Sequence, residues 1–235
     1  MTALIDEGIG LAHAADGAGV RVRLLGGVGV VAHCPSTLEG KPHREIADID
    51  VAVPRRDARA LAGFLESRGY EANKRFNALH GDTRMIFHGP QGKLDVFVGA
   101  FSMCHALELD KRLELDAPAL TATDLLLTKL QIVELNAKDA HDACVLLTEH
   151  PLASGDGDHI DVGYAARLIG DDWGLWRTVT ATVHRLAELH PAVADRCREL
   201  RAALDAAPKT RRFKLRARVG ERVTWYELPE ETEVA

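Results

Sequence analysis

The sequence has no apolar run approaching ~18 residues and no charged-then-apolar leader, so neither a membrane span nor a secretory signal is expected and the chain reads as cytoplasmic. Cysteine is sparse. Cys34, Cys104, Cys144 and Cys197 are scattered with no C-x-x-C pair, which speaks against a zinc site or a disulfide frame and leaves reduced thiols as the default. The eleven histidines are equally dispersed; His80, His88 and His105 lie near the predicted strands around Asp95, where a lone histidine is usually packed or at the surface. Positive charge is in deficit: a net charge of −6 argues against a surface that coats nucleic acid generally, while leaving room for a local basic patch. Two phosphate-binding signatures are missing as well. Gly26-Gly27-Val28-Gly29 lacks both the Gly-Lys-Ser/Thr that ends a P-loop and the G-x-G-x-x-G spacing of a dinucleotide fold. Asp156-Gly157-Asp158 lacks the remaining ligands and closing Glu of a calcium-binding helix-loop-helix.

What is present centres on Ala47-Asp48-Ile49-Asp50-Val51-Ala52-Val53. Two carboxylates one residue apart in a strand project from the same face. Like charges at that separation repel, and burying even one unpaired carboxylate is costly, so the pair calls for a cation, most simply a divalent metal with oxygen ligands. Upstream, Arg23-Leu24-Leu25-Gly26-Gly27-Val28-Gly29-Val30 reads as a short strand running into a glycine turn. Downstream, Lys93-Leu94-Asp95-Val96-Phe97-Val98 sets one more carboxylate in the middle of a second apolar strand. Singly, each has an ordinary explanation: a tight turn, an edge strand with its acids in water, a solvated aspartate. Their joint occurrence in this order is a phosphate-plus-metal constellation.

That order resembles the nucleotidyltransferase superfamily that includes DNA polymerase beta. Within it, Arg44-Glu45-Ile46-Ala47-Asp48-Ile49-Asp50 resembles the R-x-S-x-D-I-D of AbiEii-type and minimal nucleotidyltransferases. Thr128-Lys129-Leu130 with Asn136-Ala137-Lys138-Asp139-Ala140-His141-Asp142 resembles the helical K…KD..D segment that follows the core in that group. The resemblance implies that Asp48 and Asp50 hold two magnesium ions. It implies that Asp95 completes one metal site and helps deprotonate the attacking hydroxyl, and that the backbone at Gly26 and Gly27 approaches a nucleoside triphosphate. Arg44, Lys129 and Lys138 match basic positions that face phosphates or nucleotide, with Asp142 orienting or pairing with one of the lysines. Lys138 and Asp139 read equally well as a helix-surface pair in water. The chemistry agrees with that role: nucleotidyl transfer needs positioning and charge neutralisation, which two metals about 3.5–4 Å apart supply.

The chain departs from the pattern at three places. Val28 and Ile46 stand where Ser or Thr is usual, and twenty residues separate Gly27 from Asp48. The insert from His33 to His43 is rich in turn formers and is expected to be a loop beside the site.

Elsewhere, periodicity predicts helices over 2–16, 57–67, 123–133, 138–148, 162–169, 173–189 and 191–206, and a hairpin of Arg84–His88 with Leu94–Val98 about Gly89-Pro90-Gln91-Gly92. In Arg212–Val219 apolar and basic residues alternate, which predicts a strand with a cationic face turning back at Gly220-Glu221 into Val223–Trp225. That face is either a nucleic-acid site or an edge strand answered by the acidic tail of Glu227, Glu230, Glu231 and Glu233.

The expected fold is α/β. A mixed-sheet nucleotidyltransferase core occupies 1–118, a helical domain carrying Lys129 and Lys138 occupies 119–207, and a basic strand or hairpin with an acidic tail occupies 208–235. The expected reaction transfers a nucleoside monophosphate from a nucleoside triphosphate to an acceptor hydroxyl. Toxin-like chemistry would act on tRNA or a protein and bring an antitoxin partner with it; the alternative acceptor is an antibiotic or metabolite. A catalytically inactive nucleotide-binding protein is the further alternative, kept open by Val28.

Overall fold

The computed structural model describes residues 2–34, 45–155 and 157–228. Arg44 and the insert beyond Cys34 therefore lie outside the described residues, as do Asp156 and the acidic tail beyond Leu228. The chain divides into two compact units, one reaching Phe101 and including Leu107–Leu125, the other Ser102–Ala106 with the chain from Leu126 onward.

The first unit runs α1 (Thr2–Gly17), β1 (Arg23–Leu25), α2 (Gly26–His33), β2 (Asp48–Val53), α3 (Ala58–Ser67), β3 (Glu71–Ala72), α4 (Lys74–His80), β4 (Arg84–Gly89) and β5 (Gly92–Val98). Its sheet has the order β1-β2-β5-β4-β3. Only the central β2–β5 pair is parallel; the others are antiparallel, so the sheet is mixed. The period of two sorts β2 and β5. Ile49, Val51 and Val53 with Leu94, Val96 and Val98 enter a core shared with Leu4 and Leu11 of α1 and Leu61 and Leu65 of α3. Burying each such side chain contributes about 1.5–3 kcal/mol. Asp48, Asp50 and Asp95 are thereby left to the opposite face.

The expected glycine turn after β1 is instead the first turn of α2. Gly26 through Val31 are all buried, so this helix is apolar all round and shows no polar–apolar period. Val28, one of the departures from the Ser or Thr usual in the pattern, is wholly buried in the core beneath α1. The β4–β5 hairpin turns at Pro90-Gln91, with Gly89 opposite Gly92. Beside the two-residue β3, Asn77 of α4 completes the outer edge of β4. Its side chain accepts from the Ile86 N–H at 2.7 Å and donates to the Ile86 carbonyl at 3.0 Å, covering backbone that would otherwise be an open edge.

Strands β6 (Ala100–Ser102) and β7 (Ala106–Glu108) form a two-stranded sheet, and α5 (Ala122–Leu130) follows. The second unit then continues through α6 (Ala137–Glu149), β8 (Leu152–Ala153), β9 (Ile160–Asp161), α7 (Val162–Asp171), α8 (Trp173–Leu189), α9 (Ala194–Ala206) and α10 (Arg211–Val219). Asn136, Asp161, Asp172 and Thr210 cap α6, α7, α8 and α10 through side-chain oxygens, each satisfying an N–H of a first turn. Helix α8 packs on α7 and α9, burying Val179, Val183, Leu186, Ile169, Leu200 and Leu204.

The basic strand expected over 212–219 is a correction: the segment is α10, and residues 220–222 form a short 3-10 turn rather than a hairpin. The Thr210 hydroxyl accepts from the Phe213 N–H at 3.2 Å, and Phe213 is buried while Leu215 stays exposed. The alternation of apolar residues thus does not mark a buried face. Among the described residues no helix is long and apolar enough to cross a membrane.

Candidate active site

Strand register assembles the carboxylates. Across the parallel pair Asp50 stands opposite Asp95 and Asp48 opposite Lys93, while on the other side Leu25 of β1 stands opposite Asp50. One carboxylate oxygen from each of Asp48, Asp50 and Asp95 lies within 4.8 Å of the other two. Asp95 is 2% exposed, and Asp48 and Asp50 are partly buried. Because β1 ends at Leu25, Gly26 is delivered directly against Asp50. Its φ is +61°, and a Cβ there would stand 2.0 Å from Asp50 Oδ2. Gly26 is needed twice, for its left-handed backbone and for the space.

Helix α2 begins at that point. Leu25, its N-cap, is extended and offers no side-chain cap, so the N–H groups and positive dipole end of α2, with Gly26 and Gly27 in its first turn, fall beside the carboxylates. Three hard oxygen donors on rigid neighbouring strands, with a glycine holding the space open, fit a magnesium site, which takes few protein carboxylates and retains substrate oxygens and waters.

Two residues at this site escaped the sequence reading. Arg84 of β4 donates to Asp95 Oδ1 through Nε at 3.1 Å and pairs with it through Nη2 at 3.0 Å. Lys93 of β5 pairs with Asp95 Oδ2 at 2.6 Å. The Arg84 guanidinium also lies 5.3 Å from the Phe97 ring centroid and 5.9 Å from that of Phe76. The signal for Lys93 was available, since the rule that groups Asp48 with Asp50 also groups Lys93 with Asp95. Arg84 follows only from the hairpin register, which sets it opposite Phe97 and diagonal to Asp95.

The basic residues expected from the second segment belong to the second unit. Lys129 of α5 is buried and pairs with Asp139 at 2.9 Å and Asp142 at 3.0 Å, both of α6. Burial alone would lower its pKa, but Asp142 and then Asp139 more than offset this and hold the ammonium above its ordinary value. Lys138 is exposed on α6.

No protein-family model matches the chain, and no curated protein matches it. Among solved structures it is similar to an antigenic nucleotidyltransferase-like protein from Paracoccidioides brasiliensis, at 14% identity and TM-score 0.46, over 88% of this chain and 94% of that one. It is similar to the antibiotic-resistance factor ANT(2'')-Ia at 12% identity and TM-score 0.46, over 87% of this chain and 92% of that one. A third likeness is to the lincosamide antibiotic adenylyltransferase LnuA, lincomycin-bound, at 22% identity and TM-score 0.39, over 57% of this chain and 90% of that one. At these identities and scores they remain likenesses, and the reading of the site rests on its carboxylates.

Proposed function

We propose that the chain is a metal-dependent nucleotidyltransferase that moves a nucleoside monophosphate from a nucleoside triphosphate to an acceptor hydroxyl and releases pyrophosphate. The observation that carries this reading is the convergence of Asp48, Asp50 and Asp95 within 4.8 Å, at the strand end where α2 begins. Magnesium bound by these three would neutralise charge on the phosphate oxygens and orient the reactants. The chain supplies the rest. Asp48, Asp50 and Asp95 would hold the metal through their carboxylate oxygens. The first-turn amides of α2, at Gly26 and Gly27, face triphosphate oxygens with the helix dipole behind them. The acceptor oxygen bonds to the α-phosphorus as the bond to pyrophosphate breaks, and the hydroxyl proton passes to water, a loss that Asp95 would help through its place beside the reacting hydroxyl. Burial of Val28 supports backbone rather than hydroxyl contact with phosphate. Arg44 and Lys138 are the candidate phosphate or nucleotide contacts. Lys129, answered by two carboxylates, is assigned to fixing α5 against α6.

The test incubates the protein with each labelled nucleoside triphosphate, magnesium, and either total RNA, cell protein or a small-molecule fraction. Label from one triphosphate is expected on one acceptor class, with pyrophosphate released in equal amount and nothing in chelator. Label on tRNA or protein assigns toxin-like chemistry; label on a small molecule assigns antibiotic or metabolite modification. Nucleotide binding without label on any acceptor would leave a nucleotide-binding protein.

A further inference from the structure

Asp95 is not waiting with empty oxygens. Oδ1 is engaged by Arg84 at 3.1 and 3.0 Å and Oδ2 by Lys93 at 2.6 Å, and the carboxylate side chain is 3% exposed. A magnesium ion contacts its oxygen ligands at about 2.0–2.1 Å, and an ammonium in contact with the same oxygen would sit against the ion with like charge. The metal and Lys93 therefore compete for Oδ2. The two resident cations are not equivalent competitors. Arg84 holds Oδ1 through two nitrogens and lies near two aromatic rings, Phe97 and Phe76, whereas Lys93 is a single point charge on a flexible stem. Lys93 also stands opposite Asp48 in the strand register, on the carboxylate-bearing face, so an ammonium leaving Oδ2 remains where triphosphate would arrive.

We propose that Lys93 is a resident counter-ion that occupies Asp95 in the metal-free protein, is displaced by the divalent ion, and then turns to the phosphates of the nucleotide. This rests on the reading of Asp48, Asp50 and Asp95 as a metal site. It makes metal and nucleotide binding mutually reinforcing, because the metal frees Lys93 for the phosphates and the phosphates hold Lys93 away from the oxygen the metal takes. Lys93 is on this account a positioning residue, and its signature is in binding rather than turnover.

The experiment titrates manganese, read by the electron-spin signal of the free ion, into wild type, Lys93→Met and Lys93→Arg, without nucleotide and with a non-hydrolysable triphosphate. Without nucleotide, Lys93→Met is expected to bind manganese about tenfold more tightly or better, the scale on which neighbours of ligands change metal affinity, while Lys93→Arg stays at or below wild type. Nucleotide should tighten manganese binding in wild type by a larger factor than in Lys93→Met. Equal manganese affinity in wild type and Lys93→Met overturns the inference, as does equal tightening in Lys93→Met and Lys93→Arg. Absence of manganese binding in all three overturns the metal site itself, a distinct failure. Should Lys93→Met be unfolded in chelator, recovery of its melting transition on adding manganese supports the exchange of one cation for another, and failure to recover overturns it.

Discussion

Gly26 joins three demands at one position: it ends β1, begins α2 with φ +61°, and leaves the space that Asp50 Oδ2 occupies. An alanine there meets a left-handed backbone and a clash that only movement of Asp50 relieves. Gly26→Ala is expected to lower stability by about 1–3 kcal/mol in denaturant melts and to weaken magnesium-dependent nucleotide binding as Asp50 shifts. The aspartates themselves separate into two kinds. By charge repulsion alone, neutralising any one of three clustered carboxylates would stabilise the metal-free protein. At Asp50 that gain is set against the loss of a carboxylate beside the first turn of α2, so Asp50→Asn should melt in chelator close to wild type. Asp95→Asn instead leaves Arg84 and Lys93 facing a neutral amide. Breaking a fully buried pair costs about 3–5 kcal/mol, and because these two cations are 24% and 25% exposed a loss nearer ~1–3 kcal/mol is expected. Both variants should lose transfer, so the melts in chelator decide; a stabilised Asp95→Asn would show that the two ion pairs contribute nothing. Asp48 and Asp50 were legible as one face from the period of two, and Lys93 was legible by the same rule. The grouping of Asp95 with Asp48 and Asp50 came from the order of the motifs and the resemblance, not from periodicity, because it depends on β2 and β5 pairing in parallel at one register.

Helices announce themselves in a sequence when one face is buried and the other wet, which is why α8 is read at its true bounds, 173–189, while α2 and α4 are not read as helices. Helix α2 is buried all round and α4 buries none of its residues, so neither carries a stripe. Helix α10 failed in the opposite way, its alternation imitating a strand. The difference matters for its basic residues. On the helix Arg211, Lys214 and Arg218 are exposed at spacings of three and four, on neighbouring turns of one side. Arg216 is turned elsewhere, donating to the carbonyls of Gly220 at 2.6 Å and Val223 at 2.8 Å with its guanidinium 4.8 Å from the Trp173 ring centroid. If RNA is the acceptor, Arg211→Ala with Arg218→Ala should reduce the dependence of log affinity on log salt by roughly one to two units. Arg216→Ala should leave that slope unchanged and cost about 1–2 kcal/mol of stability. Between α5 and α6, Lys129→Met leaves Asp139 and Asp142 facing each other, with an expected loss of about 3–5 kcal/mol. Its pH signature has a definite sign. The folded Lys129 pKa is raised above its unfolded value of 10.5, so the stabilisation is complete below that pH and is lost as pH rises through the folded value. Wild type should weaken in that alkaline range by more than Lys129→Met does.

At the scale of the whole chain, an excess of acid and a cluster of three carboxylates set a common condition: a triphosphate is repelled unless a divalent cation comes with it. Length, charge and helical periodicity made an α/β core followed by helices legible. Strand order and register were not, since they are set by contacts far apart in sequence. Because the carboxylates and α2 belong to one compact unit and Lys129 with its two partners to the other, ligand linkage can locate the site in the molecule. A ligand that binds only the folded state stabilises it by about 2.7 kcal/mol at a concentration of one hundred times Kd. Nucleoside triphosphate with magnesium is expected to do so, and the same nucleotide in chelator, or with Asp50→Asn, is not. In calorimetry, the unfolding step that nucleotide raises should be the step that Gly26→Ala lowers. A nucleotide shift confined to the step lowered by Lys129→Met would move the binding site into the helical unit. Stabilisation of the expected step, with no labelled acceptor under the same conditions, would separate a nucleotide-binding protein from a transferase, because binding needs the carboxylates and amides alone whereas transfer needs an acceptor hydroxyl in line with the α-phosphorus.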